Sequence, residues 1–182
     1  MSHEHDLHFA EYAKPVANKG KIRLARVLLI LGYVSFAVIY CLVFTAAIPL
    51  PQVIALLPLF LWMAVFFTWR HVSYECAVRV CEGKLVLLKL NGKKERICHS
   101  VSVKDLIEIR PFAEPYTALL QAEAIPLLRD HRADPDSACA YYAVFLKDQK
   151  KCAVVFDSAD NVMRSLRYYN KDTIWDEKYI KI

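Results

Sequence analysis

The feature that most constrains this chain is a long uncharged stretch near its N-terminus. The 43 residues from Val27 to Trp69 contain no Asp, Glu, Lys, Arg or His. The hydrocarbon core of a bilayer is about 30 Å thick and needs roughly 20 apolar residues in one helix. This stretch is therefore too long for one membrane span and about right for two. A chain of 182 residues is too small to cover two such helices with protein, which argues against a buried soluble helix pair.

Two prolines indicate where the uncharged stretch turns back. Proline lacks a backbone N–H and disfavours helix in the residue before it, so Pro49 and Pro51 should end one helix and precede another. The pattern predicts a first span at about residues 24–48 and a second at about 52–69. Pro58 lies inside the second span and is expected to kink it. We therefore predict a two-helix transmembrane hairpin.

Basic residues flank this hairpin on both sides, and the turn between the spans has no charge. Lysine and arginine are enriched at the cytoplasmic ends of membrane spans. The flanking cations are Lys14, Lys19, Lys21, Arg23, Arg26 and Arg70. The predicted location is the cell membrane, multi-pass, with both termini cytoplasmic. The residues expected at the membrane interface are Arg23, Arg26, Trp69 and Arg70.

A cleaved signal peptide is the alternative explanation of the basic start and the apolar run. It is disfavoured because the apolar stretch is long and a second one follows at once. The net charge of +5 is spread along the chain and forms no dominant basic face with interleaved aromatic residues, which argues against nucleic-acid binding. Disorder is expected only in part of the N-terminal tail.

From Val72 onward, short strands replace the helical pattern. The Asn91-Gly92 pair separates "KLVLLKL" from "KKERICHSV", and such a pair between two strand-like runs is the strongest short-range hairpin signal. With the preceding "HVSYECAVRVC", these runs predict a three-stranded meander. A fourth strand is expected at about residues 104–110, stopped by Pro111.

Residues 111–139 contain four prolines and are predicted to form an irregular loop with one short helix in "EPYTALLQAEAI", where Pro115 takes an early position. A second hairpin is expected around Asp148-Gln149. A closing amphipathic helix should follow, capped by Asp157 or Ser158, and it should reach about Tyr169 with one apolar face formed by Val162, Met163, Leu166 and Tyr169.

These elements divide the chain into four predicted parts. They are a cytoplasmic, partly disordered tail (1–23), the transmembrane hairpin (24–70), a cytoplasmic β-rich domain (71–170) and a C-terminal tail (171–182). In the last part, Trp175, Tyr179 and Ile182 are spaced as one helical face, although "KYIKI" also alternates as a strand would. This face could pack on the domain or dock a partner.

The hairpin, meander, second hairpin and closing helix together resemble a family. The order is similar to that of bacterial membrane proteins that carry a pleckstrin-homology-like (PH-like) domain. The segments "SYECAVRVCEGKLVLLKLNGKKER" and "YYAVFLKDQKKCAVVFDSADNVMRSLRYY" are also similar to an uncharacterised group of small clostridial membrane proteins. The resemblance implies an α+β membrane protein with a small antiparallel split barrel. It implies ligand or partner binding, and it assigns no functional residue.

No motif in the chain specifies a reaction, a metal or a cofactor. Cys76 and Cys81 are five residues apart, which places them on opposite faces of a strand, and there is no Cys-x-x-Cys pair. The cysteines are therefore expected to be reduced cytosolic thiols. His3, His5 and His8 lie close together, and they could chelate a metal loosely or belong to a solvated tail. We predict no cofactor and no structural metal.

Basic residues near the membrane are the best candidates for function. Cations beside an anionic leaflet contribute about 1 kcal/mol each. The candidate lipid- or partner-binding residues are Arg70, Lys93, Lys94 and Arg96. They predict a tethered binding or scaffold module for lipid headgroups or a membrane protein partner, without enzymatic activity.

Two alternatives belong to other functional classes. A membrane-bound enzyme could use the loop at residues 129–136, where His131 is surrounded by charged residues. This alternative requires a closed pocket around His131 with a buried carboxylate. The chain could also be an accessory subunit of a larger membrane complex, acting through its helices.

Overall fold

The structure is a computed structural model, and it describes residues 9–46 and 55–176. The chain divides into two compact units, a helical unit of residues 17–74 and a sheet unit formed by the chain before and after it. The turn with Pro49 and Pro51 and the histidines His3, His5 and His8 lie outside the described residues.

The helical unit contains two apolar helices, α1 (Gly20–Ala46) and α2 (Leu57–Trp69). In α1, the segment Gly20–Phe44 is long and apolar enough to cross a membrane, whereas the 13 residues of α2 are fewer than one span requires. Pro58 was expected to kink the second helix. That prediction is wrong, because Pro58 lies in the first turn of α2, where the missing N–H costs nothing.

The contacts between the two helices show how α1 and α2 are oriented in this unit. The Arg26 guanidinium donates to the Val72 carbonyl at 3.0 Å, the Tyr33 and Thr68 hydroxyls are hydrogen bonded, and the rings of Tyr40 and Phe60 lie 6.1 Å apart. Later positions on α1 therefore meet earlier positions on the chain around α2. The two helices are antiparallel within this unit.

The sheet unit contains two four-stranded sheets. The first has the order β1-β2-β3-β4, with β1 (Ala10–Pro15), β2 (Glu75–Cys81), β3 (Lys84–Asn91) and β4 (Lys94–Ser102), all antiparallel. The second has the order β5-β7-β8-β6, with β5 (Leu106–Pro111), β6 (Leu127–His131), β7 (Ala140–Lys147) and β8 (Lys150–Asp157). The predicted meander and both hairpins are confirmed, but β6 pairs with β8 in parallel and the two sheets do not close into a barrel.

The core lies between the two sheets. Val78, Val80, Leu85 and Leu87 of the first sheet pack with Ala143, Phe145, Val154 and Phe156 of the second. Helix α4 (Asp160–Tyr169) adds Val162, Met163 and Leu166 to this core, which confirms the closing amphipathic helix. The predicted caps are wrong: Ala159 occupies the N-cap position, and the Asp157 carboxylate instead accepts from the Ala133 N–H at 2.8 Å.

Three segments differ from the predicted domain division. Residues 10–15 were assigned to a tail and instead form strand β1. Part of the predicted irregular loop 111–139 forms helix α3 (Tyr116–Ala122) and strand β6, and α3 covers the outer face of the second sheet. The chain after residue 170 also joins the domain, because Ile174 is buried in the core and the Trp175 N–H donates to the Ile109 carbonyl at 2.9 Å.

His131 links the added strand β6 to the first sheet. The imidazole is 2% exposed, and its Nε2 is 2.8 Å from the Leu88 carbonyl of β3. Burial lowers the pKa of His131 below its ordinary value of 6.5, since the low-dielectric interior disfavours the imidazolium. The neutral ring is therefore the form that the fold stabilises.

This histidine predicts an acid-sensitive fold. A depressed histidine pKa contributes stability above pH 6.5, and that contribution is lost as the pH falls, because the unfolded chain then binds the proton first. We expect the free energy of unfolding to fall below pH 6.5, with a slope of up to about 1.4 kcal/mol per pH unit for one proton. Burial lowers the pKa of His99 as well, so both histidines act in the same direction.

The measurement is urea unfolding of the full chain in lipid nanodiscs, followed by the β-sheet signal in circular dichroism across the pH series. His131→Gln removes the buried titrating group and should make the slope shallower, at some cost in stability at neutral pH. An unchanged slope in His131→Gln would show that this residue is not the source of the acid sensitivity.

Candidate functional site: a basic rim

The inner face of the first sheet changes from apolar to cationic along its strands. The strand register places Ala10, Val80, Leu85 and Val101 in one row across the four strands. The next row contains Tyr12, Val78, Leu87 and His99. The third row contains Lys14, Cys76, Lys89 and Arg96. The apolar core therefore stops near one end of the four strands, where the third row carries the three cations Lys14, Lys89 and Arg96.

Two of these cations stand opposite each other on neighbouring strands. Lys89 of β3 pairs in register with Arg96 of β4, and like charges directly opposite on a sheet face repel. Lys14 and Lys89 are half-buried, so water screens them less than it screens a fully exposed charge. This row therefore places two cations side by side on the inner face of the sheet.

The second sheet brings further cations to the same region. The His99 ring lies 5.3 Å from the Phe145 ring of β7, and Lys147 follows two residues later on the same face of that strand. Arg129 of β6 donates to the Cys98 carbonyl of β4 at 3.0 Å. Burial lowers the pKa of His99, and the positive charges of Lys147 and Arg129 lower it further. These charges therefore act on one imidazole from two strands of the second sheet.

We call this set the basic rim, and it consists of Lys14, Lys89, Arg96, Arg129 and Lys147. Within the described residues, His99 Nε2 is buried without a hydrogen-bond partner, although buried polar atoms normally have one. The rim thus combines positive charge from five strands with a ring nitrogen that can still take part in a hydrogen bond.

Acidic side chains at this end of the first sheet are held on the opposite face. The Arg79 guanidinium on the outer face bonds Glu11 of β1 at 3.0 Å and Glu95 of β4 at 2.9 Å. These hydrogen bonds to two carboxylates raise the pKa of Arg79 above its ordinary range. Arg79 therefore holds Glu11 and Glu95 on the outer face of the sheet.

The predicted binding residues occupy different positions in the structure. Lys93, Lys94 and Arg96 are exposed at the β3–β4 turn, and Arg96 belongs to the rim. Arg70 is exposed at the C-terminal end of α2, in the helical unit. Two rim residues, Lys89 and Lys147, were not predicted, whereas Lys14 was predicted as a cation flanking the helices and Arg129 as part of the loop at residues 129–136. For Lys89 and Lys147 a signal was present, since each lies two residues after an apolar inward position of its strand.

The predicted interface residues lie at the ends of the helices. Arg23 is exposed in the first turn of α1, and Arg26 bonds the Val72 carbonyl. Trp69 is the last residue of α2 and is half-buried.

The loop considered for catalysis was expected to surround His131 with a closed pocket, and in the structure His131 instead packs against the first sheet. His131 is buried against Leu88, and Arg132 pairs with Asp130 at 2.6 Å while its guanidinium lies 4.7 Å above the Phe112 ring. Among the described residues, His131 does not line either of the hollows beside helix α3 and strand β8. Burial also raises the pKa of the nearby Cys76 thiol to about 11, which opposes a nucleophilic thiolate. The lack of enzymatic activity stays a prediction.

Comparison with known proteins gives a family but no individual relative. Residues 6–176 match the family described as "Bacterial PH-like domain (DUF6106)". Neither the curated proteins nor the solved structures contain a significant match to this chain. The similarity to small clostridial membrane proteins stays a prediction. Because the matched region spans the helical unit and both sheets, the chain belongs to this bacterial PH-like domain family.

Proposed function

We propose that this chain is a two-pass membrane protein whose PH-like domain lies in the cytoplasm and binds anionic lipid headgroups through the basic rim and the adjoining lysines of the β3–β4 turn. Membership in a PH-like family favours a binding or scaffold module. The single observation that carries the proposal is the arrangement of β1 and β2. They are neighbouring strands of one sheet, although the whole helical unit lies between them in the sequence.

This strand pairing constrains the membrane topology. The chain segment before α1 and the segment after α2 belong to one sheet, so both must lie on the same side of any membrane that the helices cross. An even number of crossings satisfies this requirement, whereas a single span does not. Residues 47–56, which precede α2 in the sequence, are uncharged, so the apolar stretch of the chain is longer than α2 itself.

The rim lies at the end of the sheet from which the helices are connected. In register, Pro15 at the end of β1 pairs with Glu75 at the start of β2, and Glu75 pairs with Leu90 just before the β3–β4 turn. Only residues 16–19 separate β1 from α1 in the chain. The rim and the lysines of the β3–β4 turn therefore belong to the end of the sheet unit through which the chain continues into the helical unit.

Tethering makes weak binding sufficient for this function. Each cation near an anionic leaflet contributes about 1 kcal/mol, and the tether raises the effective concentration of the domain at the surface. The positive-inside bias of the flanking residues places the domain at the cytoplasmic leaflet, which is rich in anionic lipid. A membrane protein partner with an acidic surface is the other candidate ligand.

The topology can be tested with a native thiol. Cys139 is exposed in the sheet unit, so a membrane-impermeant maleimide should reach it only after the cells are permeabilised. Cys139→Ser is the matched control that identifies this labelling. Strong labelling of Cys139 in intact cells would place the domain outside and would contradict the proposal.

Headgroup binding can be tested in the full chain by hydrogen exchange. We expect the backbone amides of β4 to exchange more slowly in nanodiscs that contain phosphatidylglycerol than in purely zwitterionic nanodiscs. Charge reversal by Lys93→Glu, Lys94→Glu and Arg96→Glu should reduce this extra protection about tenfold or more, since three contributions of about 1 kcal/mol are lost. Added salt should act in the same direction.

The matched control reverses charges at the opposite end of the first sheet. Lys84 and Lys104 are exposed near the β2–β3 turn, and Lys84→Glu with Lys104→Glu should leave the protection unchanged. Equal exchange in anionic and zwitterionic nanodiscs would exclude lipid headgroups as the ligand. In that case, loss of a co-purified membrane protein in the triple variant would identify a protein ligand instead.

A further inference from the structure

A second concave site lies on the other side of the sheet unit. Helix α3 packs on the outer face of the second sheet, and a groove of about 240 Å³ remains between this helix and strands β6 and β8. Its walls are mainly apolar, and the residues that define it as the α3 groove are Phe112, Leu120, Ala124, Ile125, Leu127 and Ala153. Thr117 and Gln121 complete the helix side of the groove.

The backbone around this groove is fixed by hydrogen bonds. After α3, the Ile125 N–H donates to the Leu120 carbonyl at 3.2 Å, and Ala124 adopts a positive φ of 50°. The Ala153 N–H of β8 then donates to the Pro126 carbonyl at 3.0 Å. The groove is therefore formed before any ligand arrives, which reduces the entropy cost of binding.

One end of the groove is basic. A hollow of about 440 Å³ shares Ala124 and Ile125 with the α3 groove, and its other lining residues are Glu123, Pro126, Lys150 and Lys151. Lys151 pairs with Glu123 at 3.0 Å, and both side chains are about half exposed, so this pair is weak and exchangeable. A cationic end beside an apolar slot is complementary to a molecule with an anionic head and a hydrocarbon chain.

We propose that the α3 groove binds a single-chain anionic amphiphile of the fatty-acid class, with its chain in the apolar slot and its carboxylate at Lys150 and Lys151. Burial of the hydrocarbon chain supplies most of the affinity, whereas the exposed lysines contribute mainly orientation. Such ligands partition into bilayers, which this chain would adjoin. The inference is independent of headgroup binding, because none of the rim residues lines this groove.

Photolabelling of the full chain in nanodiscs tests the proposal. The probe is a fatty acid that carries a diazirine on its chain, and labelled peptides are mapped by mass spectrometry. Labelling of α1 and α2 by probe dissolved in the bilayer provides an internal reference. We expect additional labelling within residues 112–127 that saturates with probe concentration and that unlabelled fatty acid competes away.

Two tryptophan variants distinguish binding in the α3 groove from binding elsewhere on the surface of α3. Gln121 lines the groove and is exposed, so Gln121→Trp should fill the space and abolish the labelling. Ala118→Trp adds the same bulk at an exposed position of α3 outside the groove lining, and it should leave labelling unchanged. Labelling that is absent in the wild type, or that persists in Gln121→Trp, would overturn the proposal.

The class of ligand is tested by charge. Lys150→Glu with Lys151→Glu should weaken labelling about fivefold, the size expected for the loss of one partly exposed ion pair. A diazirine alcohol of the same chain length should label residues 112–127 more weakly than the acid. Equal labelling by the alcohol and the acid would overturn the assignment to an anionic amphiphile.

Discussion

The pairing of β1 with β2 is the interaction on which the rest of the structure depends. Ala10 lies opposite Val80 and Pro15 opposite Glu75, so the backbone bonds of one ladder join chain segments on either side of the helical unit. The helical unit is thereby an insertion between two adjacent strands of the sheet unit, not a separate anchor at one end of the chain. The chain therefore leaves the first sheet at the end of β1 and returns to it at the start of β2, and these two strand ends are neighbours.

The positive charge at that end of the sheet follows from the order of side chains along the inner face of the strands. Apolar side chains fill the space between the sheets, and the same strands carry lysine and arginine where that space opens. Arg79 holds Glu11 and Glu95 on the outer face, so positive charge remains concentrated on the inner side. Side chains on one face recur at every second residue, and in β1, β3, β4 and β7 that face is apolar toward one end of the strand and cationic toward the other.

Much of the fold was predictable because its signals are local. The Asn91-Gly92 turn, the hairpin at Asp148-Gln149 and the amphipathic helix α4 all rest on residues close in sequence, and each was found. Strands β1 and β6 were missed because their partners are distant and no turn connects them. The short "AEYAKP" pairs only with a strand beyond the helices, and "LLRDH" pairs in parallel with β8 from inside a proline-rich segment. The PH-like resemblance was confirmed at the level of the family.

The sequence by itself determined the apolar stretch, its flanking cations, the strand and turn pattern and the exposed lysines of the β3–β4 turn. These properties depend on residue type and on spacings of a few residues. Local turns and hydrophobic runs therefore form them without contacts to distant parts of the chain. Only the tertiary structure decided that Lys14, Lys89, Arg96, Arg129 and Lys147 form one rim and that His131 lies in the core. Those positions depend on which strands become neighbours, because a side chain acquires its electrostatic surroundings only when distant segments pack around it.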